Sequence, residues 1–366
     1  MGSSGFKELR LGDLVARIPI VQGGMGVGIS LSGLAAATAR AGGIGVIAAA
    51  GIGLLEPDGK DDFVGANIRR LRSEIRRARE LIDGKGGGAL GVNIMVALTN
   101  FADLVKAAVE EKVDVIFSGA GLPVNLPELV QDLHTKLVPI VSSGRAATLL
   151  AKRWLDKYGR APDAFVVEGP KAGGHLGYKA EDLENPDFSL EKVLPEVVAA
   201  AKTFEERAGH PIPVIAGGGI WSGADIRKFL GLGASGVQMA TRFVATEECD
   251  ADQAFKDSYV NAKEADLEII ASPVGMPGRA LHNNFLADVK AGKKRPFACP
   301  YHCIITCDYQ KAPYCISLAL LNAQKGRLDK GYAFAGANAW RVTKIVKVAE
   351  LMKELEDEYE ESAPKA

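Results

Sequence analysis

Eight short runs rich in valine and isoleucine recur along this chain, each followed by small or glycine residues and then by a stretch with helical spacing. They lie at residues 18–22, 45–49, 90–95, 113–118, 137–142, 164–168, 213–216 and 236–239. Nearly all are apolar throughout, without inside–outside alternation, which is the pattern of a strand covered on both faces. Such strands belong to parallel sheets, and parallel neighbours need crossovers. Amphipathic stretches at 31–41, 62–82, 101–111, 126–133, 146–158, 190–208 and 222–232 supply them. Eight strand–helix units predict an α/β fold, a (β/α)8 TIM barrel, in preference to an open doubly wound sheet.

After the eighth strand the pattern breaks. The reading places the barrel at 6–248, a smaller, mainly helical and cysteine-containing second domain at 249–331, and a C-terminal segment at 332–366. Within that last segment, apolar positions at Val342, Ile345, Val346, Val348, Leu351, Met352 and Leu355 predict a helix over 339–360 that packs back on the barrel.

Composition limits the partners. The 44 Lys and Arg residues nearly cancel the 45 Asp and Glu, so no long-range field recruits nucleic acid or anionic membrane. No apolar run approaches the roughly 20 residues of a bilayer span, and no secretory leader pattern opens the chain, so a cytoplasmic location and a small-molecule substrate are the expectation. The oligomeric state is left open.

Barrel enzymes build their sites from the residues just beyond each strand. Here these are Gln22-Gly23-Gly24-Met25-Gly26 after the first, Asn93-Ile94-Met95 after the third, Glu168 through His175 after the sixth, Gly217-Gly218-Gly219-Ile220 after the seventh and Gln238-Met239-Ala240-Thr241-Arg242 after the eighth. A glycine triplet entering a helix exposes backbone N–H groups at a positive helix end, which suits phosphate, and Thr241 adds a hydroxyl. The bland alternative is a tight turn. Of five histidines only His175 stands in a glycine-rich strand-end loop, where an imidazole can move protons near neutral pH. His134, His210, His282 and His302 fall in surface or connecting segments.

At these motifs the chain resembles the nitronate monooxygenase (2-nitropropane dioxygenase-like) family, which also contains flavin-dependent enoyl-acyl-carrier-protein reductases. The segment Val274-Gly275-Met276-Pro277-Gly278-Arg279-Ala280-Leu281-His282-Asn283 resembles a stretch found in both branches. The resemblance implies FMN held non-covalently over the barrel mouth. It assigns Gln22, Gly23, Gly24, Met25 and Asn93 to the ring and ribityl chain, and Gly173, Gly174, Gly217, Gly218, Gly219, Ala240 and Thr241 to the phosphate end. Glu168, Ala172, Gln238 and Met239 complete the cofactor-binding set, and His175 is the catalytic or substrate-orienting group.

The implied activity is oxidation of alkyl nitronates to carbonyl compounds plus nitrite. The alternatives are an NAD(P)H-dependent reductase acting on an enoyl thioester or quinone, and, more remotely, a flavin-free sugar-phosphate barrel or a non-catalytic flavin binder. No dinucleotide fingerprint is present, so NAD(P)H would be a visiting substrate.

Four of the five cysteines, Cys299, Cys303, Cys307 and Cys315, fall within 17 residues. Four thiolates are the ligand count of an iron–sulfur cluster or a structural zinc, though the spacing matches neither usual pattern. Free thiols in a reducing compartment are the other reading.

Overall fold

The computed structural model describes residues 5–294, 299 and 301–364. Pro300, inside the cysteine-rich run, lies outside them. Among the described residues thirteen strands follow in chain order: β1 (Leu9–Leu11), β2 (Leu14–Ala16), β3 (Ile20–Gln22), β4 (Ile44–Ala48), β5 (Ala89–Asn93), β6 (Val115–Ser118), β7 (Lys136–Val141), β8 (Phe165–Glu168), β9 (Gly174–His175), β10 (Val214–Gly217), β11 (Gly236–Met239), β12 (Leu267–Ala271) and β13 (Pro277–Leu281). Eight of them, β3-β4-β5-β6-β7-β8-β10-β11, form a closed parallel barrel, and β11 pairs back on β3 to shut it. These are the eight runs read from the sequence.

Alternate residues on each strand enter two different cores. Val21, Val46, Val115, Phe117, Val138, Val166 and Ile215 fill the barrel interior, and Leu9, Leu11 and Ala16 of the β1–β2 hairpin join them. Ile20, Ile47, Val92, Ile116, Leu137, Phe165 and Ala216 pack outward against the helices. A strand buried on both sides needs apolar residues at every position, which is why the runs show no alternation. The hairpin is too short and mixed to read from periodicity; only its antiparallel pairing and its place in the barrel core define it.

The helices are α1 (Ser32–Arg40), α2 (Phe63–Ile82), α3 (Phe101–Glu110), α4 (Leu126–Leu129), α5 (Gly144–Tyr158), α6 (Leu190–Ala208), α7 (Gly223–Gly231), α8 (Thr241–Val244), α9 (Gln253–Val260), α10 (Asn284–Lys290), α11 (Ile316–Gln324) and α12 (Val348–Glu361). Two are shorter than their patterns predict. The helix expected over 126–133 ends at Leu129, because the Arg160 guanidinium donates to the carbonyls of Val130 and Asp132 at 2.9 Å each and holds that backbone outside a helix. The helix expected over 339–360 begins only at Val348, whose N–H donates to Glu248 Oε2 at 2.9 Å. Upstream, Val346 runs parallel to Thr246 as an extended bridge, so its apolar side chain belongs to strand-like backbone. Once formed, α12 packs against α1, α7 and α8.

Residues after β11 carry α9, α10 and α11, and also the β12–β13 hairpin, which the helical reading of 249–331 did not contain. That hairpin adds β9 as a third strand, pairing Gly278 with His175 and Arg279 with Gly174. Asp250 ties this segment to the barrel. Its carboxylate accepts the N–H groups of Leu31 at 2.8 Å, Gly33 at 3.1 Å and Leu34 at 3.1 Å, while buried Glu74 of α2 accepts that of Ser32 at 2.9 Å. The orphan donors of the α1 N-terminus are thus met by two carboxylates remote in sequence. Among the described residues no helix is long and apolar enough to cross a membrane.

Candidate active site

A cavity opens at the C-terminal ends of the barrel strands, and fourteen of the cofactor residues read from the sequence divide around it in a definite way. Gly23, Gly24, Met25, Asn93, Glu168, Ala172, Gly173, Gly174, Gly218, Gly219, Gln238, Met239, Ala240 and Thr241 line it, together with His175. Gln22 and Gly217 do not. The buried Gln22 amide donates to Gly23 O at 2.5 Å and accepts Val46 N–H at 2.9 Å, so it braces the floor from inside the barrel. Gly217 is buried in β10 with its carbonyl accepting Gly169 N–H at 2.8 Å.

Glycine is required where the loops crowd. A Cβ on Gly24 would lie 2.4 Å from that of Asn93. Gly218 has φ +97°, and a Cβ there would meet Gly169 O at 2.7 Å. Only a residue without a side chain lets these loops pass each other and leave backbone facing the cavity.

The phosphate reading takes a sharper form. The N-terminus of α7 lies beyond the glycines and is already capped: Ser222 Oγ accepts Asp225 N–H, the Asp225 carboxylate accepts Trp221 and Ser222 N–H, and Glu358 accepts Gly223 N–H. The donors without a protein partner are upstream, at the N–H groups of Gly219 and Ile220. An anion at this corner would therefore meet loop amides, and the Thr241 hydroxyl belongs to the same cavity. Thr241 Oγ1 also accepts Gly336 N–H at 3.2 Å, and the Asn338 amide donates to Gly219 O at 2.7 Å. Lys171 lines the same cavity, its stem covering Gly219. Unpartnered N–H groups and a hydroxyl fit an anion.

His175 belongs to strand β9, where its sequence pattern predicts a loop. Pairing with β13 fixes its backbone, Ser272 Oγ lies 2.7 Å from its Nε2, and Phe334 meets the ring edge-on at 5.0 Å between centroids. Burial lowers its pKa from 6.5 to about 4, so the imidazole is neutral at working pH and able to accept a proton. Glu168, at the end of β8, is pushed by burial up to about 7. Arg279, buried and with its pKa lowered by that burial, donates from one nitrogen to Pro170 O at 2.7 Å and Ala172 O at 2.8 Å, clamping the Glu168–His175 loop. The Tyr178 hydroxyl closes the loop's other end by donating to Glu168 O at 2.7 Å.

Lys171, Ser272, Arg279, Phe334 and Asn338 were not assigned to the site from sequence. Lys171 stands in the strand-end segment after the sixth barrel strand and Arg279 inside the Val274–Asn283 motif; Ser272, Phe334 and Asn338 follow no strand of the barrel. The remaining histidines stay outside the cavity lining, and exposed His282 pairs with Glu268 at 3.1 Å.

Cys303 lines the cavity, Cys299 and Cys307 line a second, separate depression, and Cys315 is the N-cap residue of α11. None is disulfide-bonded. Burial pushes the Cys303 thiol up to about 11, with the charges of Cys315, Cys299 and Cys307 adding to it; Cys307 and Cys315 are raised by the same causes. Among the described residues no three His, Cys, Asp or Glu side chains converge where one ion could be held.

A closed β/α barrel with an anion-ready mouth and a neutral, cavity-facing histidine is the architecture of a cofactor-dependent enzyme. The family model described as nitronate monooxygenase matches residues 9–358, and the chain belongs to that family. It is a flavin-dependent oxidoreductase.

Among curated proteins it is 29% identical over 281 residues to the (3aS,4S,5R,7aS)-5-hydroxy-7a-methyl-1-oxo-octahydro-1H-indene-4-carboxyl-CoA dehydrogenase of Mycobacterium tuberculosis, covering 76% of this chain and 68% of that one. It is 26% identical over 309 residues to a probable nitronate monooxygenase of Staphylococcus saprophyticus, covering 75% and 78%. Among solved structures, FabK from Thermotoga maritima superposes with a TM-score of 0.71 at 28% identity, covering 95% of this chain and 94% of that one.

Proposed function

We propose that this chain is an FMN-dependent oxidoreductase that oxidises alkyl nitronates to carbonyl compounds plus nitrite, with oxygen as the co-substrate. The observation that carries the reading is His175: neutral, held by Ser272, and lining the same cavity as Gly219, Ile220 and Thr241. The Gly219 and Ile220 amides, Thr241 and Lys171 would hold the FMN phosphate, and Gly23, Gly24, Met25 and Asn93 would face its ring. When bound, FMN supplies the electron acceptor for the substrate.

The protein's own part is positional. Phe334 and the glycine loop exclude water from one side of His175, and Ser272 fixes the plane of the imidazole. A neutral imidazole can hydrogen-bond the oxygens of the anionic nitronate, and it can accept a proton where a substrate still carries one, without first losing one of its own. Glu168 beneath it, sharing the cavity with its proton retained up to about pH 7, adds no second fixed charge below that pH.

The relative from Mycobacterium tuberculosis, named for a carboxyl-CoA substrate, supports a second reading: reduction of an enoyl thioester with NAD(P)H as a visiting reductant. Anaerobic mixing of the FMN-loaded protein with propionate 3-nitronate, NADH or NADPH separates the two. Flavin bleaching by the nitronate is the expected result. Bleaching by a nicotinamide and none by the nitronate overturns the first reading in favour of the second.

A further inference from the structure

The cysteine-rich segment is used by nothing in the flavin chemistry, yet the fold builds it into the wall of the same cavity. Ile304 bridges antiparallel to Leu98, Thr99 N–H donates to Cys303 O at 3.3 Å and Ile305 N–H to Ala97 O at 2.9 Å, so this segment is pinned to the loop that follows β5. Cys303 and Ile304 line the cavity from there, beside Ile316, Ser317 and Leu320 of α11. Ser317 Oγ lies 3.1 Å from Cys303 Sγ, which joins the segment to the start of α11, where Cys315 is the capping residue. Cys299 Sγ accepts His302 N–H at 3.4 Å, and Cys299 and Cys307 share the second depression.

The four sulfurs thus lie within electrostatic reach of each other and are unbridged by disulfides. The chain's fifth cysteine, Cys249, is elsewhere, with its thiol against Ile29 O at 3.5 Å. The α11 N-terminus adds a partial positive charge on the side of Cys315, which favours anionic sulfur. Zinc draws its ligands onto one centre at about 2.3 Å, a convergence the described side chains lack. An iron–sulfur cluster is a larger body that takes its four thiolates at separate corners.

We propose that Cys299, Cys303, Cys307 and Cys315 bind an iron–sulfur cluster in the wall of the His175 cavity. Binding displaces the thiol protons and draws the four side chains onto the inorganic core. The site is independent of the nitronate or thioester assignment, since it rests on a segment that neither reading uses.

The test is to purify the full chain anaerobically, reconstitute it with ferrous iron and sulfide, and measure iron, acid-labile sulfide, zinc and flavin per chain, with low-temperature electron paramagnetic resonance after dithionite reduction. Iron and sulfide in near-equal amounts, with a signal from the reduced cluster, are expected. C315S and C307S should each lose most of that iron and the signal while keeping flavin and circular dichroism unchanged. Cys307 is only half-buried, so C307S decides the matter if C315S fails to fold. Flavin-loaded protein without iron after reconstitution, zinc in place of iron, or full iron in the folded C307S variant would each overturn the proposal.

Discussion

His175 and Glu168 are titratable groups at one cavity whose pKa values burial shifts in opposite directions, both toward the neutral form, one by losing a proton and the other by keeping it. His175→Ala should leave FMN bound and slow turnover by roughly 10²–10⁴-fold, the usual loss for a general base. In the wild-type pH profile, the acid limb assigned to this group should fall near its lowered pKa of about 4, and steady-state rates across pH would show it. A limb near the ordinary 6.5 would mean that His175 is not the titrating base. For Glu168 the folded pKa of about 7 lies above the ordinary 4.5, so its neutral form contributes stability that is complete below pH 4.5 and lost as pH rises through 7. Glu168→Gln, which cannot ionise, should therefore melt higher than the wild-type cofactor-free chain at pH 8, with the difference closing toward pH 5.

At the scale of elements, the site depends on loops that are held by partners far away in the chain. Arg279 on β13 clamps the β8–β9 loop through two carbonyls, so Arg279→Ala leaves both without their charged donor, at a cost of about 3 kcal/mol. Thermal unfolding and flavin titration should both show the loss, and Arg279→Lys should recover it only in part. Gly218→Ala introduces a side chain at φ +97° against Gly169 O, in a backbone region that costs about 1–2 kcal/mol per L-residue before any contact is counted. It should lower FMN affinity more than it lowers the melting temperature, because the displaced backbone leads directly into the Gly219 and Ile220 amides. Equilibrium dialysis against FMN measures this; unchanged affinity would move the phosphate away from that loop. The strand-end glycines and the histidine were legible in the sequence because they follow apolar runs at a fixed offset. Arg279 and Ser272 were not, since nothing local links β13 to β9 until the hairpin folds across the mouth.

For the whole molecule, the chain after β11 completes the barrel as well as following it. Asp250 accepts three N–H groups of the α1 N-terminus, and Asp250→Ala would strand them in a buried setting, a loss on the order of 3 kcal/mol visible as a lower urea midpoint. A midpoint equal to wild type would show that α1 is capped some other way. The eight-fold strand count, the barrel closure and the strand-end motifs were determined by the sequence alone, because a strand covered on two faces must be apolar at every position and its loop must be small where backbone meets ligand. The structure capped the α7 terminus and left the Gly219 and Ile220 amides unpartnered, put His175 on a strand, and brought Cys303 against Ser317 of α11. Each of these depends on pairings between residues distant in the chain, where the energy comes from contacts and desolvation that exist only after the tertiary fold has brought the partners together.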